Sequence, residues 1–153
     1  MAEIPLKSKP MELRVIELNT YKSANLYASD DCQTLLNSYD DYYKIIGFNP
    51  PWVGYFIIRD YTIVGTCGFT GKPQEGKVEI AYWTFSAFEG QGIASFACKE
   101  LVWISQKNDA NITVTAKTAP EENPSTKILR NNGFQFTDIV QDHEIGEAWL
   151  WVL

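Results

Sequence analysis

Residues 78–105 read VEIAYWTFSAFEGQGIASFACKELVWIS, and the order of parts in this stretch decides the fold. Val78–Phe85 is a long β-prone run with a single charge, Glu79. Glu89–Ala94 (EGQGIA) is a glycine-rich turn. A helix follows at once, with Ile93, Ala97, Leu101 and Ile104 at spacings of four, four and three, so that they share one face; Asn108-Asp109 closes it. The first turn of a helix exposes unpaired backbone N–H groups and a partial positive charge. Gly90 and Gly92 stand where an anion would need close access to that backbone, so the turn predicts a phosphate site. No G-K-[ST] follows, so it is not a P-loop. The third glycine of a dinucleotide fingerprint is missing too, and the strand comes too late in the chain for one.

Working outward, Val53–Arg59 is apolar on both faces and reads as a central strand, with Thr62–Phe69 as its hairpin partner across Asp60-Tyr61. Leu13–Leu18 alternates apolar and polar residues as a first strand. The pattern from Tyr21 to Ile46 is helical, divided into two helices at Asp30-Asp31 and ended by Gly47 and Asn49-Pro50-Pro51. On the C-terminal side, Ile112–Lys117 is a strand. Asn123-Pro124 opens a short helix that Gly133 ends. Gln135–Val140 and Ala148–Leu153 are the last strands, around a polar turn at Gln141–Gly146. This order predicts one α/β (α+β) domain over residues 12–153: a mixed, mostly antiparallel sheet of six to seven strands with helices on both faces. Residues 1–11, with Pro5 and Pro10, are expected to be a loose lead-in.

Composition narrows the function. The 153 residues carry a formal net charge of -6 and show no basic patch, which argues against nucleic acid as a partner. Cys32, Cys67 and Cys98 lie far apart without a C-x-x-C pair, which argues against zinc and for buried thiols in a reducing compartment, the cytoplasm. Met1–Pro10 lacks the apolar run of a signal peptide, and no 18-residue apolar stretch would cross a membrane. The lone histidine, His143, stands in an acidic turn and suits no Ser/His/Asp triad.

EIAYWTFSAFEGQGIAS, followed by ENPSTKILRNNGF, resembles the GNAT family, and within it the RimJ/RimL-like branch. The family's coenzyme motif [Q/R]-x-x-G-x-[G/A] matches Glu89–Ala94, and its second motif, E-N-x-x-S before a helix ending in G-F, places Ser125 eight residues before Gly133-Phe134. The resemblance runs over roughly residues 12 to 153. It departs at two positions: Glu89 stands where the family carries Gln or Arg, and Glu122 takes the register of the motif's Asn, with Asn123 one later.

The resemblance implies an N-acetyltransferase that uses acetyl-coenzyme A and direct attack by an amine, without a covalent enzyme intermediate. Its implied coenzyme contacts are Glu89, Gly90, Gln91, Gly92, Ile93, Ala94 and Ser95 for the pyrophosphate, main-chain groups of Trp83, Thr84 and Phe85 for the pantetheine arm and oxyanion, and Asn123 and Lys127 near the second motif. A lysine-type amine, with a pKa of about 10.4, must lose a proton. Glu79 is the expected base, directly or through water, and Ser125 the expected proton donor to the leaving thiolate, with Tyr82 and Tyr55 behind it. The acceptor, a small amine or a protein N-terminus, is expected among Asp40, Asp41, Tyr42, Tyr43 and Trp52. The two departures also admit a binding module that holds coenzyme A without turnover. Monomer and homodimer are both compatible with the sequence.

Overall fold

Gly54–Arg59 (β2) and Thr62–Phe69 (β3) are buried almost throughout, as strands covered on both faces are, and with Lys77–Thr84 (β4) they are adjacent strands of a seven-stranded sheet in a computed structural model, which describes residues 11–18 and 25–153. Glu12–Val15 (β1) lies on the outer side of β2. Beyond β4 come Thr113–Thr118 (β5), Gly146–Val152 (β7) and Gln135–Asp142 (β6), giving the order β1-β2-β3-β4-β5-β7-β6. All pairings are antiparallel except β4 with β5. That exception has a cause in the chain: β4 and β5 are joined by a helix, Ile93–Asn108 (α2), and a helical crossover returns the chain in the same direction.

Two further helices complete the fold, Asp30–Ile46 (α1) and Pro124–Asn131 (α3). Ser29 caps α1, its hydroxyl accepting from Cys32 N–H, so the Asp30-Asp31 boundary read from the sequence is a true helix start. Before it lies a 3-10 turn, Asn25–Tyr27; the rest of the helix expected from Tyr21 falls partly outside the described residues, as does the expected lead-in before Met11. The first strand is shorter than the sequence pattern suggested and ends at Val15, after which Ile16 N–H still donates to Gly54 C=O. The last turn is tighter than expected, because β6 and β7 pair as far as Asp142 and Gly146.

Successive side chains along each strand point to opposite faces of the sheet. Ile93, Ala97 and Leu101 of α2 are buried, and each of the larger two contributes roughly 1.5–3 kcal/mol by leaving water. On the opposite face, α1 buries Cys32, Leu35, Leu36 and Tyr43. A close approach fixes its seat: a Cβ on Gly54 would come within 2.4 Å of Tyr39 Oη. Trp151, fully buried, donates its indole N–H to Thr118 Oγ1 at 2.9 Å and locks β7 to the end of β5.

Candidate active site

The site begins where β4 loses one of its neighbours. On one side, β4 pairs with β3 from Ile80 to Thr84. On the other, its pairing with β5 stops at Ile80 and Ala116. β5 itself runs on, its other edge paired with β7 from Thr115 and Val152 to Thr118 and Trp149. The sheet therefore opens between β4 and β5. Phe85 N–H donates to Val64 C=O, and Glu79 C=O accepts from Thr70 N–H. Main-chain groups alternate sides along an antiparallel strand, so the odd residues are joined to β3 and the even ones, Tyr82 and Thr84, face the opening. Of the three residues expected to offer main-chain groups, Thr84 is turned toward the gap, while the Phe85 amide is already spent on β3.

After β4 comes a 3-10 turn, Ser86–Phe88, and then Gly90 and Gly92 at φ of 74° and 78°. A Cβ at either glycine would meet nothing within 4 Å, so the residues answer to backbone conformation and open approach, not to crowding. Gly92 occupies the N-cap position of α2 and supplies no capping side chain. Among the described residues, no protein acceptor is found for the amides from Gly90 to Ser95. With the helix dipole behind them, these amides form a concave donor set suited to an anion.

A cleft of about 670 Å³ runs from these amides along Tyr82, Trp83 and Thr84 to Asn123, Pro124, Ser125 and Ile128 of α3. A second opening of about 330 Å³ lies in the β4–β5 gap, lined by Lys117, Thr118 and Ile145. A third, of about 130 Å³, is bounded by Tyr39 and Tyr42 of α1. Tyr82 lines all three, and Ser125 and Asn123 line the first two. The Tyr82 hydroxyl reaches toward Ser125 C=O at 3.5 Å. Burial pushes its phenol pKa well above the usual range, so it remains a protonated donor.

The expected site residues fall into three groups. Glu89, Gly90, Gly92, Ile93, Ala94, Ser95, Trp83, Thr84, Asn123 and Ser125 all border the main cleft. Gln91 and Lys127 are exposed and lie outside its lining. Glu79 projects on the α1 side of the sheet, three residues before Tyr82, and is paired with Lys117 at 3.2 Å. Asn123 is committed to the helix start: its side chain accepts from Thr126 N–H, and Thr126 Oγ1 accepts from Asn123 N–H, with Pro124 in the first turn.

On the acceptor side, Tyr42 lines the third opening, and its phenol is pushed up by burial first and by the charges of Glu79 and Glu144 after that. Tyr43 is buried and bonded to the main chain, Trp52 packs edge-on to Phe69, and Asp41 pairs with Lys44 at the surface. Cys98 is buried and its thiol is pushed up to about 11, chiefly by desolvation, which leaves it protonated and inert. Sequence reasoning passed over Lys117, whose signal was a lone cation in the strand TVTAKT, and ranked Tyr82 behind Ser125 because a tyrosine-rich sheet needs such residues for packing.

Comparison with known proteins bears on the family and the fold. The family model described as an acetyltransferase (GNAT) domain matches residues 16–135. An uncharacterized N-acetyltransferase, p20, from Bacillus licheniformis is 35% identical over 83 residues, covering 54% of this chain and 47% of that protein, so the match spans about half of the relative's length. Among solved structures, RimL, a ribosomal L7/L12 alpha-N-protein acetyltransferase in complex with coenzyme A, superposes with a TM-score of 0.65 at 16% identity, covering 95% of this chain and 94% of that one. A GNAT-family acetyltransferase from Bacillus anthracis superposes with a TM-score of 0.63 at 15% identity and 96% coverage of both chains. At such identities these two likenesses concern the fold. Among the described residues, no helix is long and apolar enough to cross a membrane.

Proposed function

Since the chain belongs to the GNAT acetyltransferase family, we propose that it is an acetyl-coenzyme A-dependent N-acetyltransferase that delivers the acetyl group to a primary amine by direct attack. The observation that carries this reading is the coincidence of two features at one place: unpartnered amides from Gly90 to Ser95, and a strand opening that begins within the same cleft. The amides suit a pyrophosphate. The main-chain groups of Tyr82 and Thr84 suit an extended amide-bearing arm laid alongside β4 as an added strand.

In this reading, Thr84 and its neighbours hold the thioester carbonyl where donors can meet the developing oxyanion, an effect commonly worth about 3 kcal/mol of barrier. Ser125, with Tyr82 beside it, supplies a proton to the departing thiolate. Glu79 draws the proton from the attacking amine; it stands back from the cleft, so a bridging water completes the path. The acceptor enters from the α1 side, past Tyr42 and Trp83. A small amine and a protein N-terminus both fit that side; the second is the kind of acceptor that RimL, a ribosomal L7/L12 alpha-N-protein acetyltransferase, is named for. A cytoplasmic location, acting as a monomer or homodimer, completes the proposal.

A second reading, a coenzyme-binding module without turnover, draws on Glu89 at the mouth of the cleft and on Asn123, whose side chain is occupied by its own helix. Thermal shift with coenzyme A, acetyl-coenzyme A, ATP and NAD, followed by thiol release from acetyl-coenzyme A with a panel of amines, separates the two. Stabilisation by coenzyme A with release on at least one amine supports the transferase. Stabilisation without release on any amine supports the module, and preferential stabilisation by ATP rejects both.

A further inference from the structure

We propose that Lys117 is a positioning residue for the transfer reaction, tying the Glu79 carboxylate to the tip of the β6–β7 hairpin through Asp142. The inference deepens the transferase reading and rests on Glu79 acting there as the base.

The chain of contacts is continuous. The Asp142 carboxylate is held first: its Oδ2 accepts from the amides of Glu144 and Ile145 at 3.0 and 3.3 Å. Its Oδ1 faces Lys117 Nζ at 3.3 Å, and the same ammonium lies 3.2 Å from Glu79 Oε1. The three side chains keep only 14, 28 and 26% of their exposure, in the order Asp142, Lys117, Glu79, which sets them apart from the open surface pair Lys44–Asp41 at 78 and 80%. Lys117 and Ile145 also line the β4–β5 opening together with Tyr82 and Ser125, so the network borders the place of reaction. Glu79 itself sits one strand away from the hairpin and has no other partner that would fix a flexible three-bond side chain, among the hydrogen bonds and ion pairs of the described residues. Lys117 is not a base of its own: burial alone would lower its pKa, but bonds and charge from Glu79 and Asp142 push it above the ordinary value and keep it cationic.

The charged and titratable groups around Glu79 are Lys117 from β5, Asp142 from β6 through that lysine, and Tyr42 from α1, with Glu144 of the hairpin turn acting on Tyr42. Lys117→Met leaves the Glu79 side chain without its ion-pair partner, whereas Asp142→Asn only loosens the far anchor of the lysine, so its effect is of the same kind and smaller.

The test is steady-state thiol release by the full chain across pH, with the best amine found, for wild type, Lys117→Met, Lys117→Arg, Asp142→Asn and the surface control Lys44→Met. Lys117→Met is expected to lose roughly ten- to a hundredfold in kcat, the upper figure being the cost of a reacting group misplaced by about 1 Å, with KM for acetyl-coenzyme A unchanged and a smaller loss in Asp142→Asn. Lys117→Arg restores most of kcat, and Lys44→Met behaves as wild type. Active wild type with a Lys117→Met variant that keeps its kcat would overturn this inference alone. So would equal losses in Lys117→Met and Lys117→Arg that track a fall in thermal midpoint. A wild type that turns over no amine, while still binding coenzyme A, would remove the transferase reading and this inference with it.

Discussion

Tyr82 Oη stands 3.5 Å from the main-chain carbonyl oxygen of Ser125, and this approach links β4 to the first turn of α3 across the gap that β5 leaves. Two hydroxyls thus converge where the proposed thiolate would depart. If Ser125 delivers the proton, Ser125→Ala lowers kcat by roughly a hundredfold, the lower end of the range for general acids, with little change in KM for acetyl-coenzyme A. Tyr82→Phe then costs less, since Tyr82 acts beside the serine. Thiol-release kinetics on both variants decide the order. A fully active Ser125→Ala with an inactive Tyr82→Phe would transfer the role to the tyrosine.

Gly92 offers a cleaner separation of fold from binding. Its φ of 78° disfavours any side chain, yet nothing lies within 4 Å of the place a Cβ would take. Gly92→Ala therefore costs stability by roughly 1–2 kcal/mol of left-handed strain while leaving the amides accessible. Gly92→Glu carries the same strain and adds a carboxylate at the amides themselves. Thermal shift with coenzyme A is expected to persist in the alanine variant and vanish in the glutamate variant, with both folded by circular dichroism. An undiminished shift in Gly92→Glu would place coenzyme binding elsewhere.

Much of this arrangement was legible before any coordinates. The run VEIAYWTF declared a strand, EGQGIA a glycine-rich turn open to an anion, and Ile93, Ala97 and Leu101 the buried face of a helix, because these are local patterns read at one residue's reach. Capping by Asn123 with Pro124 in the first turn is local in the same way. What the sequence could not display is pairing. That β4 and β5 part after Ile80, while β5 keeps its other edge on β7 as far as Thr118 and Trp149, is a matter of pairings between residues more than 30 positions apart. For the same reason Phe85 looked available although its amide was taken by Val64, and Lys117 went unnoticed although it joins Glu79 to Asp142, 63 positions further along.

A pH prediction follows from the entry to α3. Glu122 receives both guanidinium nitrogens of Arg130, one at 2.6 Å, and accepts from Thr126 Oγ1 at 2.9 Å. The bonds from Arg130 first, and from Thr126 second, pull its carboxyl down to about 2 from an ordinary 4.5. A folded-state pKa below the unfolded one stabilises at pH above the unfolded value and is lost as pH falls through the folded one. Wild type should thus lose thermal stability between about pH 4.5 and 2 more steeply than Glu122→Gln, whose midpoint is lower near neutrality. The group is exposed, so salt at about 1 M narrows the difference. Parallel acid profiles for the two proteins, recorded by circular dichroism melts, would show that the Arg130 fork contributes nothing.

Tyr43 provides the corresponding test of the opposite sheet face. Its hydroxyl donates to Ile16 C=O at 2.7 Å and accepts from Gly54 N–H at 3.1 Å, in a residue only 4% exposed. One oxygen thereby satisfies main-chain groups from the end of β1 and the start of β2, and holds α1 over both. Tyr43→Phe keeps the ring and its edge contact with Phe48 but leaves a buried donor and a buried acceptor without a partner. The cost is about 1–3 kcal/mol, which at this chain length lowers the thermal midpoint by roughly 2–4 °C for each kcal/mol. Because Tyr43 lines neither the main cleft nor the β4–β5 opening, the shift produced by coenzyme A should equal that of wild type. Loss of coenzyme binding with an unchanged midpoint would mean that α1 is coupled to the cleft by a route the static contacts do not contain.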